Sequence, residues 1–165
     1  MIVMALLLAL AEPDSKVELK GLHLCCGGCE GAAVKALEGT GAKNVMADKG
    51  AGTLTFMVKD VKAAQKAFDA LGNAGFHAET GVPNLPMKDD SGVKPGKVKS
   101  LKLSGIHNCC GGCAKPIKEA AMKVEGVSGV EIAEKATTLT VNGDFDGAAV
   151  IKALNAAGYH AKLAK

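Results

Sequence analysis

The stretch Gly21-Leu22-His23-Leu24-Cys25-Cys26-Gly27-Gly28-Cys29 returns later in the chain as Gly105-Ile106-His107-Asn108-Cys109-Cys110-Gly111-Gly112-Cys113. A second pair follows at nearly the same separation: Ala70-Leu71-Gly72-Asn73-Ala74-Gly75-Phe76-His77-Ala78 and Ala153-Leu154-Asn155-Ala156-Ala157-Gly158-Tyr159-His160-Ala161. Between them Thr53-Leu54-Thr55 recurs as Thr138-Leu139-Thr140. Matches that keep their spacing mark a duplicated unit. The 165 residues therefore divide into two domains, 15–82 and 97–165. Segment 83–96 joins them and carries Pro83, Pro86 and Pro95 together with Asp89-Asp90-Ser91-Gly92, the composition of an extended, partly stiff linker.

The period of the apolar residues changes along each copy. Val17 and Leu19, like Leu101 and Leu103, alternate with Glu18, Lys20 and Lys102, which predicts a first strand with one buried face. After the cysteines, Ile117, Ala120, Ala121 and Val124 form a helical stripe, with Pro116 expected in the helix's first turn. Val127–Ile132 and Thr138–Val141 read as two strands around a turn at Glu134-Lys135. A second helix follows. Its stripe in the first copy is Val61, Ala64, Phe68 and Leu71, its N-cap is Asp60, and Gly75 or Gly158 closes it. Phe76-His77-Ala78 and Tyr159-His160-Ala161 then open a last strand, with His77 and His160 expected on the open, solvated face of the sheet. The order βαββαβ in each copy predicts an α+β fold of two tandem ferredoxin-like domains.

Composition narrows the function. All 20 basic residues are Lys, the net charge is only +3, and aromatics make up 3% with no Trp. Without Arg forks or stacking rings, nucleic-acid binding is not expected. Ile2–Ala11 is an apolar run too short to span a bilayer, and Ala9-Leu10-Ala11 has the small-x-small form of a cleavage site. Residues 1–11 thus read as a signal peptide, although no Lys or Arg precedes the apolar run. A buried N-terminal strand or helix is the alternative. The mature chain is expected to be soluble, without a membrane span, and exported to the periplasm or beyond. No Ser-His-Asp set, carboxylate pair or phosphate-cradling Gly loop appears, so no catalysis is expected.

A Gly-hydrophobic pair before Cys-x-x-Cys at a helix start, and Gly-aromatic-x-Ala opening the last strand, resemble the heavy-metal-associated domain in each copy. That family includes copper chaperones, the N-terminal modules of copper-transporting ATPases and the periplasmic mercury-binding protein. The resemblance assigns a metal pair to Cys26 and Cys29 and another to Cys110 and Cys113. The loop departs from the family's Gly-Met-x-Cys-x-x-Cys: it is two residues longer, adds His23 with Cys25 and His107 with Cys109, and puts Leu22 and Ile106 at the position of the buried Met.

Thiol chemistry supports a metal site apart from the family. A helix N-terminus lowers a thiol's pKa through the macrodipole and unpaired N–H groups. Gly27-Gly28 and Gly111-Gly112 leave those amides uncovered and are open to backbone conformations closed to other residues. Two or three thiolates select soft ions: Cu(I) first, with Zn(II), Hg(II) or Cd(II) as alternatives. Candidate ligands are Cys25, Cys26, Cys29 and His23, and Cys109, Cys110, Cys113 and His107; for the two histidines, loop packing stands beside ligation. Three Cys per copy leave an odd thiol, which fits a disulfide framework poorly. Covalent haem attachment is excluded by Glu30 and Ala114 after the motifs. The expected function is sequestration or delivery of a soft ion by thiolate exchange with a metal transporter or another metallochaperone. The linker would let the two loops face each other and share a multinuclear thiolate cluster. The alternatives are a thiol-disulfide redox protein using the same cysteines, and an interaction module whose metal is structural.

Overall fold

The computed structural model describes residues 14–165. The signal-peptide reading of residues 1–11 falls outside them. In the first half the order is β1 (Ser15–Leu19), α1 (Gly27–Ala36), β2 (Lys43–Asp48), β3 (Thr53–Val58) and α2 (Val61–Asn73). The second half adds β4 (Lys97–Ser104), α3 (Gly111–Met122), β5 (Val127–Glu131), β6 (Thr138–Asp146), α4 (Gly147–Ala156) and β7 (Lys162–Leu163). Each half has an antiparallel sheet, ordered β1-β3-β2 in the first and β5-β6-β4-β7 in the second. This is the α+β, tandem ferredoxin-like architecture.

The alternation in the sequence places the core. Val17 and Leu19 of β1 face the same side as Leu54, Phe56 and Val58 of β3, and all five are buried. The helices cover that face with Ala33 and Leu37, then Ala64, Phe68 and Leu71. In the second half Leu101, Leu103, Leu139, Val141 and Phe145 meet Ile117, Ala121, Val150 and Leu154. Asp60 caps α2 by accepting the Ala63 N–H at 2.7 Å, and Asp146 caps α4 through the Ala148 and Ala149 N–H groups. Two residues of the expected helices lie elsewhere. Val61 is 67% exposed because it opens α2 rather than facing the sheet. Pro116 sits in the second turn of α3, because the helix already begins at Gly111.

The last strands differ most from expectation. In the first half only one bridge, Lys20 with Glu79, remains of the fourth strand, and in the second half β7 is two residues long. The residues expected to start those strands pair with each other instead. Phe76 and Tyr159 form an antiparallel bridge between the halves. The His77 N–H donates to the Gly158 carbonyl at 3.0 Å and the His160 N–H to the Gly75 carbonyl at 2.9 Å. Backbone groups satisfied across the interface are not available to the sheet edge. His160 is accordingly buried, not solvated: Asp90 lies 2.7 Å from its Nε2, and its ring is stacked 5.8 Å from that of His77. His77 is half-buried and burial, reinforced by His160, lowers its pKa to about 4.

The connection over 83–96 is docked on both halves. Met87 is buried and its Sδ accepts the Ala78 N–H. The Leu163 N–H donates to the Ser91 carbonyl, and Asp90 takes both His160 and Lys162. The two apolar cores merge into one continuous cluster.

Candidate metal centre

The loop between first strand and first helix is built on the same plan in both halves. Leu22 and Ile106, 4% and 1% exposed, plug into the cores below. Their N–H groups donate to the Gly52 and Thr137 carbonyls in the neighbouring hairpins. In the second half Asn108 also clamps the loop, its Nδ2 donating to the Ala133 and Ala136 carbonyls. The chain then runs extended into the helix: Cys26 and Cys110 are the N-caps of α1 and α3, with φ near −155°, and Cys29 and Cys113 lie three residues inside. Gly27, Gly28, Gly111 and Gly112 are the first helical residues and none has a positive φ, so left-handed backbone is not what they supply. A Cβ at Gly112 would lie in ordinary contact with the cluster, 3.4 Å from the Cys110 Sγ and 3.6 Å from the Cys25 Sγ.

A set of reciprocal contacts brings the loops together. His23 of the first half stacks on Tyr159 of the second at 4.6 Å between ring centroids, and His107 stacks on Phe76 at 4.2 Å. Gly75 and Gly158 end their helices with φ of +85° and +84°. The N–H of the residue after each reaches back to Leu71 or Leu154, closing a Schellman turn. Each glycine also lies against the opposite loop: a Cβ on Gly158 would come 2.4 Å from the His23 nitrogen, and one on Gly75 would come 2.2 Å from the His107 nitrogen. The Tyr159 hydroxyl donates to the Cys113 carbonyl at 3.3 Å.

The result is one cluster of six thiols. Across the interface the Sγ of Cys29 is 3.2 Å from Cys109 and 3.9 Å from Cys113, and Cys26 is 3.7 Å from Cys109. Cys25 lies 3.4 Å from Cys113 and 3.8 Å from Cys110. Within one loop, Cys25 and Cys26 stand 3.5 and 3.7 Å from Cys29, and Cys109 is 3.8 Å from Cys113. Cys29 and Cys113 are fully buried, whereas Cys25 is exposed, and all six are free thiols.

Two four-cysteine groups are compact enough to hold an ion, Cys25 with Cys26, Cys109 and Cys110, and Cys25 with Cys29, Cys109 and Cys113. Every donor in them is sulfur, a set suited to soft ions. Both α1 and α3 aim their N-termini at the cluster, where the dipoles favour negative charge.

The thiols are not equivalent. The Cys29 backbone N–H, then the thiols of Cys29 and Cys109, hold Cys26 down at about 6, although no full cap hydrogen bond forms. Burial pushes Cys25, Cys29 and Cys109 up. At Cys113 burial is outweighed by hydrogen bonds from Cys25, Cys109 and the backbone, and the thiol is lowered.

All six sequence-predicted cysteines thus come together. His23 and His107 do not belong to either compact thiol group; their rings are taken up by Tyr159 and Phe76, and each leaves a buried Nε2 without a partner. Burial lowers the pKa of both. The residues that align the loops, Gly75, Phe76, Gly158 and Tyr159, carried a signal in the sequence as the repeated Gly-aromatic-His-Ala, but the pattern alone places them in separate cores.

Residues 101–160 match the heavy-metal-associated domain family. Heavy metal-associated isoprenylated plant protein 37 of Arabidopsis thaliana is 37% identical over 78 residues, which are 47% of this chain and 21% of that protein. The chain thus spans about a fifth of that relative's length. Among solved structures, oxidized MerP from Ralstonia metallidurans CH34 is 30% identical over 41% of this chain and 97% of its own, with a TM-score of 0.35. The N-terminal soluble domains of Bacillus subtilis CopA cover 92% of this chain and 94% of their own at 18% identity and a TM-score of 0.32. Among the described residues no helix is long and apolar enough to cross a membrane. The second half of the chain, residues 101–160, belongs to the heavy-metal-associated domain family.

Proposed function

We propose that the chain binds a thiophilic metal ion, Cu(I) foremost with Zn(II) or Hg(II) as competitors, and sequesters it or passes it on by thiolate exchange. The carrying observation is the gathering of six thiols from two loops within 3.2–3.9 Å of their neighbours, at two helix N-termini and with no oxygen donor among them. Binding one ion releases protons from its thiols, and Cys26, with the lowered pKa, is the first ligand available. Exchange then needs an exposed edge: an incoming partner thiolate adds to the ion while one of this chain's thiolates leaves and takes up a proton. Cys25 offers that edge. The complete burial of Cys29 and Cys113 favours retention over rapid hand-off. A partner would be a metal transporter or another metallochaperone presenting its own thiols. Export is part of this reading, and N-terminal sequencing of the mature protein should find Glu12 first.

Anaerobic titration with Cu(I) against a competing chelator tests the proposal. Wild type should capture the ion, and a variant with Cys26, Cys29, Cys110 and Cys113 all changed to Ser should lose it. Equal binding by the two would end the assignment. A thiol-disulfide function is the second reading, favoured by the lowered Cys26 thiol standing 3.7 Å from Cys29. Thiol counting by mass spectrometry in redox buffers separates the two: a freely exchanging Cys26–Cys29 disulfide with negligible metal affinity would favour redox chemistry.

A further inference from the structure

The family's metal pair accounts for two cysteines per half and leaves Cys25 and Cys109 unexplained. Both reach across to the other half. The Cys109 Sγ is 3.2 Å from Cys29 and 3.7 Å from Cys26 across the interface, but 3.8 Å from Cys113 in its own loop. Cys25 is 3.4 Å from Cys113 and 3.8 Å from Cys110 across the interface. Its contact within its own loop, to Cys29, is 3.5 Å. The backbone explains the divergence. Cys26 and Cys110 are fully extended, and successive side chains on extended chain point to opposite sides. Cys25 and Cys109 therefore leave the chain on the opposite side from the N-cap thiol that follows them, with all four of these sulfurs still within 4.8 Å of one another.

We propose that each extra cysteine is a ligand supplied in trans, so that the six thiols divide into two three-sulfur sites related by the pseudo-twofold axis: Cys26, Cys29 and Cys109 in one, and Cys110, Cys113 and Cys25 in the other. The inference rests on the metal-binding reading above. A soft ion held at about 2.3 Å by three thiolates spreads them about 4 Å apart. The first set, with sides of 3.7, 3.7 and 3.2 Å, reaches that spacing by movements under about 1 Å. The stacked His23–Tyr159 and His107–Phe76 pairs then have a defined task. They fix the register of the two loops so that each donates its first thiol across the interface.

The test isolates one site. In a Cys110→Ser, Cys113→Ser background, one equivalent of Hg(II) at mildly alkaline pH should show the ultraviolet charge-transfer bands of three-coordinate thiolate. Adding Cys109→Ser should convert them to the two-coordinate spectrum and lower affinity against a competing thiol at least tenfold. Adding Cys25→Ser should leave three-coordination in place. The mirror set, built on Cys26→Ser, Cys29→Ser, should show the reverse dependence, and far-ultraviolet circular dichroism confirms folding of each variant. Loss of three-coordination with Cys25→Ser but not Cys109→Ser in the first background would overturn the inference, since it means each loop uses its own thiols. Two-coordination in every variant and in wild type would overturn it as well. No binding of Hg(II) or Cu(I) by wild type would instead refute the metal-binding reading itself.

Discussion

Gly158 is, with Gly75, one of the two glycines at which a single added methyl group would press the backbones of the two halves apart. It stands at φ +84° as the left-handed residue closing α4, and a left-handed conformation costs an L-residue about 1–2 kcal/mol. That cost is common to every such glycine. What Gly158 adds, as Gly75 does on the other side, is the backbone against it: an added Cβ would meet the His23 nitrogen at 2.4 Å, the Gly21 oxygen at 2.5 Å and the Leu22 carbonyl carbon at 2.9 Å. Ordinary contact begins near 3.4 Å, so the two backbones must part by about 1 Å. Forced repacking of that kind costs a further ~1–3 kcal/mol. Gly39, at φ +72° with nothing within 4 Å of the point a Cβ would occupy, supplies the control.

Gly158→Ala should therefore destabilise the reduced, metal-free protein by about 2–5 kcal/mol in urea unfolding, against about 1–2 kcal/mol for Gly39→Ala. Parting the loops by about 1 Å would also carry the wider cross-interface sulfur pairs, now 3.7–3.9 Å, well past the roughly 4 Å that three thiolates on one ion take up. Gly158→Ala should then lose at least tenfold in Cu(I) affinity while Gly39→Ala keeps it. Equal destabilisation and equal affinity in the two variants would refute the docking of the halves through this glycine.

Other consequences follow from individual residues. Asp60→Ala removes the acceptor at the α2 N-terminus and should cost about 1 kcal/mol in the same unfolding assay without altering metal affinity. Ile106→Ala empties a fully buried plug beneath the second loop and should cost about 2–5 kcal/mol. Cys26, with its pKa held at about 6, should be the first thiol alkylated by limiting iodoacetamide at pH 7, ahead of Cys25 and Cys109, whose thiols burial raises; peptide mapping reads the order. His77 has a folded-state pKa of about 4, below its ordinary 6.5, so the unfolded chain binds the proton more readily. Its contribution to stability is complete above pH 6.5 and lost as pH falls through about 4, and His77→Gln should flatten that part of the unfolding profile.

Within each half the sequence was a good guide to the first three strands and the two helices, because their determinants are local. The alternation of Val17 and Leu19 set the buried face of β1, Asp60 set the start of α2, and the positive φ of Gly75 and Gly158 followed from their place after a helix. The six cysteines were legible as two triplets for the same reason: each is a short motif at a strand-to-helix junction. That the two loops could face each other was expected from the linker, but the contacts that bring them together were not legible, because they depend on which of two partners a stretch of backbone chooses. Phe76-His77-Ala78 has the pattern of a strand in either case. Nothing in its alternation distinguishes pairing within its own sheet from pairing with Tyr159-His160-Ala161. That choice buried His160, drew His23 and His107 onto aromatic rings, and turned an odd thiol per loop into a thiol facing the other half.

The claim that each half supplies ligands to a metal site of the other is tested most directly by removing all the thiols of one half. A variant with Cys109, Cys110 and Cys113 changed to Ser leaves Cys25, Cys26 and Cys29 intact. Its Cu(I) affinity, measured anaerobically by chelator competition, should fall at least tenfold below that of wild type, because the remaining thiols have lost their partners across the interface. Unchanged affinity with half the stoichiometry would show two independent sites and contradict the account.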